Sequence, residues 1–226
     1  MIYFHVSCFN GNNGIAVVSE NNGVFPFTYL WDDLLAQTTQ TATGLIANSY
    51  SVVATDNAGC VASGSVIINE PTELVVTLDT EGNVSCNSGL DGFILIDVVG
   101  GSGAYSYDWI FGGATVSTVQ NPTGLVSGLY SVIVTDTAGC SDQINVNVLQ
   151  PEPLTVSTIG FDAECFNQNS GYAYAIVNGG TMPYNYQWDD LGLQQTDTAF
   201  NLLAGNYLVD VTDSLGCQVL ATPIVI

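Results

Sequence analysis

Four residue types fall into register three times along this chain. The six cysteines form the pairs Cys8/Cys60, Cys86/Cys140 and Cys165/Cys217, whose members are 52, 54 and 52 residues apart. Trp31, Trp109 and Trp188 each lie 23 residues after the first cysteine of a pair. Tyr50, Tyr130 and Tyr207 precede the second cysteine by ten, and Asp56, Asp136 and Asp213 precede it by four. Recurrence at about eighty residues is the signature of a repeat architecture, in which each copy is one compact unit. It divides the 226 residues into units 1–70, 71–150 and 151–226. The first is shorter at its start, as expected of a piece cut from a longer array.

Units this small bury a modest core and need staples. An even cysteine count, one pair per unit, predicts one intradomain disulfide in each, Cys8–Cys60, Cys86–Cys140 and Cys165–Cys217. Closing a loop of roughly 50 residues contributes about 4 kcal/mol in the chain-entropy model. If both members of a pair sit at one end of a sandwich, an even number of strands separates them. Disulfides persist in oxidising compartments, so the chain is expected outside the cell. Zinc sites want clustered Cys and His, whereas here there is no CxxC pair and His5 is the only histidine.

The second unit is the template for local structure. Stretches 74–79, 93–99, 105–111, 129–135 and 144–149 read as strands, separated by turn signals such as Gly100-Gly101 and Gly112-Gly113. Short strands with frequent turns predict a sandwich or barrel, and no stretch has helical period. The expected fold class is all-β: three tandem immunoglobulin-like or PKD-like β-sandwiches without significant helix. Tyr105, Tyr107 and Trp109 share a strand face, as do Phe27, Tyr29, Trp31 and Tyr184, Tyr186, Trp188. Trp31, Trp109, Trp188, Tyr50, Tyr130 and Tyr207 are the expected core aromatics. Both cysteines of each pair lie in loop-like segments, unlike the strand cysteines of immunoglobulin domains. The joints Glu70-Pro71-Thr72-Glu73 and Gln150-Pro151-Glu152-Pro153 are short and proline-stiffened, so neighbouring units are expected to form a semi-rigid rod.

Charge narrows the partners. The chain has 21 acidic residues and no lysine or arginine. Phosphate neutralisation requires Lys or Arg, so nucleic-acid binding is excluded, as is attraction to anionic headgroups. No apolar run reaches the length of a membrane helix, and no signal peptide lies within these residues. Nucleophilic catalysis needs a base beside the nucleophile, and His5 has no counterpart in the other units. Asp32-Asp33 and Asp189-Asp190 alternate across a strand rather than converge. No catalytic residue and no cofactor is therefore assigned. Asp56, Asp136 and Asp213 are the calcium candidates, since hard cations take carboxylates. Their competing role is to hydrogen-bond the backbone of their own T-D-x-x-G-C turns. Thr137, Thr198 and Ser214 stand in D-[ST]-apolar triplets, a pattern similar to a bacterial O-glycan acceptor.

The motif set resembles the SprB repeat, found in very large surface adhesins of gliding Bacteroidota. In the second unit it comprises Val84 to Gly92, the GG-x-x-x-Y-x-Y-x-W run from Gly100 to Trp109, Gly128-Leu129-Tyr130-Ser131-Val132, and Thr135-Asp136 with Gly139-Cys140. The third unit matches through Gly179-Gly180-Thr181, Pro183 to Trp188, Gly205-Asn206-Tyr207 and Thr212 to Cys217. The first departs at Asn22 to Phe27. This resemblance implies type IX secretion, surface display and a repetitive stalk serving adhesion or gliding. The implied partners are neighbouring repeats, surface polysaccharide and other cell-surface proteins. The alternatives are non-catalytic spacers of a secreted multidomain enzyme, or a carbohydrate-binding module using Phe93, Leu95, Tyr172 and Tyr174.

Overall fold

Alternation along the chain becomes strands throughout. The structure, a computed structural model, describes residues 1–164 and 168–226, so Cys165 and the bond expected of it fall outside the described residues. The first repeat contains β1 (Ile2–Phe4), β2 (Gly14–Val17), β3 (Thr28–Trp31), β4 (Thr41–Leu45), β5 (Asn48–Thr55) and β6 (Val61–Ile68). The second contains β7 (Val75–Gly82), β8 (Gly92–Val99), β9 (Tyr105–Phe111), β10 (Ala114–Ser117), β11 (Thr123–Leu125), β12 (Gly128–Asp136) and β13 (Ser141–Val148). The third contains β14 (Thr155–Phe161), β15 (Gly171–Asn178), β16 (Asn185–Trp188), β17 (Thr198–Leu202), β18 (Asn206–Tyr207), β19 (Val209–Thr212), β20 (Gln218–Leu220) and β21 (Ile224–Val225). All regular elements among the described residues are strands.

One topology recurs. Sheet β1-β2-β4 faces β3-β5-β6 in the first repeat, and the second places β7-β8-β11 with β10-β9-β12-β13. The third has β14-β15-β17 and β16-β19-β20, with the short pair β18-β21. The strand pairings described here are antiparallel, and side chains alternate between core and outside along β2, β8 and β12. In β12 the buried positions are Tyr130, Val132, Val134 and Asp136.

The tryptophans close the cores. Trp31 is 1% exposed and Trp109 and Trp188 are 0% exposed. A buried indole N–H needs an acceptor, and each finds a loop carbonyl at 2.9 Å: Thr39, Val119 and Thr196 respectively. Trp31 packs with Leu45, Val52 and Ile68 in one cluster, and Trp188 with Leu202, Val209 and Val211 in another. The hydroxyls of Tyr50, Tyr130 and Tyr207 donate to the carbonyls of Ile46, Val126 and Leu203, four residues upstream. Each tyrosine thereby fastens the corner that leads into its own strand.

By contact density the chain divides into two compact units. One comprises Met1–Asp79, Ile96–Gln120 and Ser131–Asn145, the other Thr80–Leu95, Asn121–Tyr130 and Val146–Ile226. The division passes through the middle repeat, and each unit contains one disulfide.

Candidate functional site: the ties between successive repeats

The cysteines do not pair within repeats. Cys8 is bonded to Cys140 and Cys86 to Cys217, each with Cα atoms 5.6 Å apart, and Cys60 is an exposed free thiol. The expected Cys8–Cys60, Cys86–Cys140 and Cys165–Cys217 bonds are corrected accordingly: the first cysteine of one repeat joins the second cysteine of the next.

Geometry dictates this choice. In the first repeat the loop carrying Cys8 lies beside Asn69, just beyond the end of β6, where the Val6 amide donates to the Asn69 carbonyl at 3.0 Å. Cys60 lies at the other end of the same eight-residue strand, roughly 25 Å away at the usual rise of a strand. A disulfide spans only about 4.4–6.8 Å between Cα atoms. Loop entropy could not have selected the pairing, because it favours a closed loop of 132 residues over one of 52 by less than about 1 kcal/mol.

Each second cysteine is presented by its aspartate. Asp136 accepts from the Ala138 and Cys140 amides through one oxygen, both at 2.9 Å, and from Ser102 through the other at 2.8 Å. Asp213 repeats this with Leu215, Cys217 and Thr181, all at 2.9 Å. Asp56 does the same with Ala58, Cys60 and Val24. Burial pulls the Asp136 and Asp213 carboxyls upward, but these amide bonds together outweigh it and hold both below the ordinary carboxylate range. N–H donors are the wrong company for a cation, and no cluster of three or more His, Cys, Asp or Glu is assembled among the described residues. The arrangement is that of a turn clamp which sets the direction of the cysteine.

Each joint is gripped on both sides. Asn69 donates to His5 Nδ1 at 3.0 Å, and the Asn10 amide donates to Glu70 Oε2 at 2.6 Å. At the next joint Leu149 donates to Asn83 Oδ1 at 2.7 Å, Ser88 to Gln150 Oε1 at 3.0 Å, and Asn87 Nδ2 to the Pro151 carbonyl at 3.0 Å. On the incoming side the Gly101 amide donates to Thr72 at 3.0 Å and Gly180 to Glu152 at 2.9 Å. These residues escaped the sequence reading, yet a signal existed. His5 and Asn83 each stand three before a first cysteine, and Glu70 and Gln150 ten after a second.

The remaining candidates are spread over turns and strands. The Asp33 and Asp190 carboxylates accept from the backbone and side-chain amides of Gln37 and Gln194 in equivalent turns. Thr137 and Ser214 are exposed, and their hydroxyls donate to the carbonyls of Ser102 and Thr181. Thr198 is half-buried at the start of β17. Tyr172 stacks on Phe161 with centroids 4.5 Å apart, and Tyr174 and Phe200 flank that pair at 6.2 Å. Phe93 and Leu95 are half-buried.

Fold and ties together define a class: a tandem β-sandwich array whose successive copies are cross-linked. A family model described as the SprB repeat matches three segments of the chain, residues 5–36, 80–114 and 162–193. Among solved structures the chain is similar to the three N-terminal domains of the bacteriophage RB49 highly immunogenic outer capsid protein Hoc. That match has 14% identity and a TM-score of 0.43, covering 98% of this chain and 97% of that one. It is also similar to the eight N-terminal immunoglobulin domains of Down syndrome cell adhesion molecule, at 15% identity and TM-score 0.43, covering 97% and 36%. The mouse nectin-like molecule 4 ectodomain matches at 12% identity and TM-score 0.38, covering 94% and 92%. No curated protein matches the chain.

Proposed function

We propose that this chain is a repetitive, tension-bearing segment of a cell-surface adhesin, serving adhesion or gliding after export by the type IX route. The observation that carries the reading is the bridging of successive repeats by Cys8–Cys140 and Cys86–Cys217. A spacer under load fails first at its joints, and these bonds lead the covalent path around both. Force entering at Met1 reaches Cys8, crosses to Cys140, runs back along the middle repeat to Cys86, and crosses to Cys217. Residues 9–85 and 141–216 lie off that path. The 21 acidic residues, unopposed by lysine or arginine, keep crowded copies soluble and apart.

Single-molecule pulling tests the load path. With about thirty Gly/Ser residues inserted between Gln150 and Pro151, the oxidised chain reaches the same full extension as the parent. After reduction the insert adds roughly 100 Å. Any added length before reduction overturns the load path. Labelling of intact cells by antibody against this segment tests surface display, and failure to label them rejects it. A spacer in a secreted multidomain enzyme uses the same construction. The adjoining reading frame separates the two, since further repeats favour the adhesin and a catalytic domain the enzyme.

Carbohydrate contact is a second reading, favoured by the stacked Phe161, Tyr172, Tyr174 and Phe200. Flat aromatic surfaces suit sugar faces, and a glycan array with the Tyr172→Ala chain as control tests it.

A further inference from the structure

The third repeat carries a row of rings that the other two lack. Phe161, Tyr172 and Phe200 stand on β14, β15 and β17, neighbouring strands of one sheet, with Tyr174 two residues along β15. Strand pairing fixes the equivalent positions, because Gly171, Gly92 and Gly14 lie opposite Leu202, Leu125 and Leu45 respectively. Counted from those pairs, Tyr172, Tyr174 and Phe200 correspond to Phe93, Leu95 and Thr123 in the second repeat. In the first they correspond to Ile15, Val17 and Thr43. The row is not core, since Phe161 is 42% and Phe200 55% exposed.

Phe200 also lines a cleft of about 410 Å³ between the edge strand β17 and the turn 190–194. The turn pins it: the Phe200 amide donates to Gln194 Oε1 at 3.0 Å, and Gln194 Nε2 donates to the Phe200 carbonyl at 2.9 Å. Asp190 is committed as well, accepting from Gly192 and Gln194. Two further amides line the cleft, those of the exposed Asn169 and Asn201.

Asn201 supplies an independent observation. Its φ is +58°, and its counterparts Gly124 and Gly44 both have φ +71°. Glycine adopts that backbone freely, whereas a side chain there costs energy, asparagine less than most. The third repeat thus keeps a disfavoured residue where its amide lines the cleft, and such outliers gather at ligand sites. The equivalent places stay open where a further copy follows. Asn12, Thr43 and Gly44 in the first repeat and Leu90, Thr123 and Gly124 in the second are exposed. The opening therefore belongs to this face of the repeat itself.

We infer, resting on the reading of carbohydrate contact above, that the cleft beside Phe200 holds one uncharged pyranose of a glycan whose next sugars lie along the ring row. A pyranose offers an apolar C–H face to a ring and a rim of hydroxyls, each both donor and acceptor. A primary amide has two donors and an acceptor, so Asn169 and Asn201 match hydroxyls rather than a charge. A cleft of this size with few polar groups among apolar ones is the usual form of a small-ligand site. Acidic sugars are rejected, because the Asp190 carboxylate lies in the wall and the chain has no lysine or arginine to meet a uronate.

Calorimetric titration of the intact chain with neutral hexose and N-acetylhexosamine oligosaccharides, and with an oligouronate, tests this. Neutral oligosaccharides bind and the oligouronate does not. Phe200→Thr, which installs the residue of the other two copies, weakens binding about tenfold. Asn201→Gly weakens it roughly threefold to tenfold, while its Tm holds because glycine accepts that backbone. Tyr172→Ala tells the cleft from the row. Binding that Tyr172→Ala abolishes but Phe200→Thr and Asn201→Gly leave intact overturns the cleft and keeps carbohydrate contact on the row. No neutral binding at all overturns both, and an oligouronate bound as tightly as the neutral sugars overturns the ligand class.

Discussion

Each repeat depends on one indole and one carboxylate. Removing Trp109, fully buried and bonded to Val119, leaves a large cavity and an orphaned carbonyl. Trp109→Ala should cost about 3–5 kcal/mol, the range for deleting a core aromatic, read by denaturant titration with far-UV circular dichroism. Asp213 makes a pH-dependent contribution. Its folded pKa lies below the ordinary value, so its stabilisation is fully present above the usual carboxylate range and is lost as pH falls through the folded value. Melting temperature should therefore decline on acidification below about pH 4. Asp213→Asn should melt lower at pH 7 with a shallower acid limb, since an amide NH2 would face the Thr181 N–H or the Cys217 N–H. An unchanged acid limb in that variant removes the assignment.

Strands and cores were legible in the sequence, whereas the disulfide partners were not. Strands announce themselves through alternation, which is local, and the expected stretches 93–99, 105–111 and 129–135 lie within β8, β9 and β12. Disulfide partners depend on which end of a sandwich each loop occupies. Spacings of 52, 54 and 52 within repeats are no more regular than the 132 and 131 of the actual bonds. Four strands, β2 to β5, lie between Cys8 and Cys60, which in strict alternation would return both to one end. They sit at opposite ends, so one connection crosses the sandwich without a strand. Digestion by an acid-specific protease, the chain having no tryptic site, should yield Cys8 joined to Cys140 and Cys86 joined to Cys217. Peptides joining Cys86 to Cys140 would refute that pairing. The Gly-Gly turn beside each incoming joint is equally constrained. Gly101 has φ +65°, and a Cβ there would lie 2.7 Å from Asp136 Oδ2. Gly101→Ala should destabilise by about 1–2 kcal/mol from backbone conformation alone, and more once the clamp is displaced, as thermal melts would register.

Across the whole molecule the two bonds overlap rather than follow one another, because Cys86 lies inside the span from Cys8 to Cys140. The array thus has a ladder's connectivity, and a ladder survives the loss of one rail segment. Cleave any single peptide bond between Cys8 and Cys217, joints included, and at least one sulfur bridge still holds the pieces together. Three self-contained stapled beads would instead part at the first nick in a joint. Wherever a protease nicks it, the chain would stay whole. Lightly digested protein should run as one band without reductant and as fragments with it.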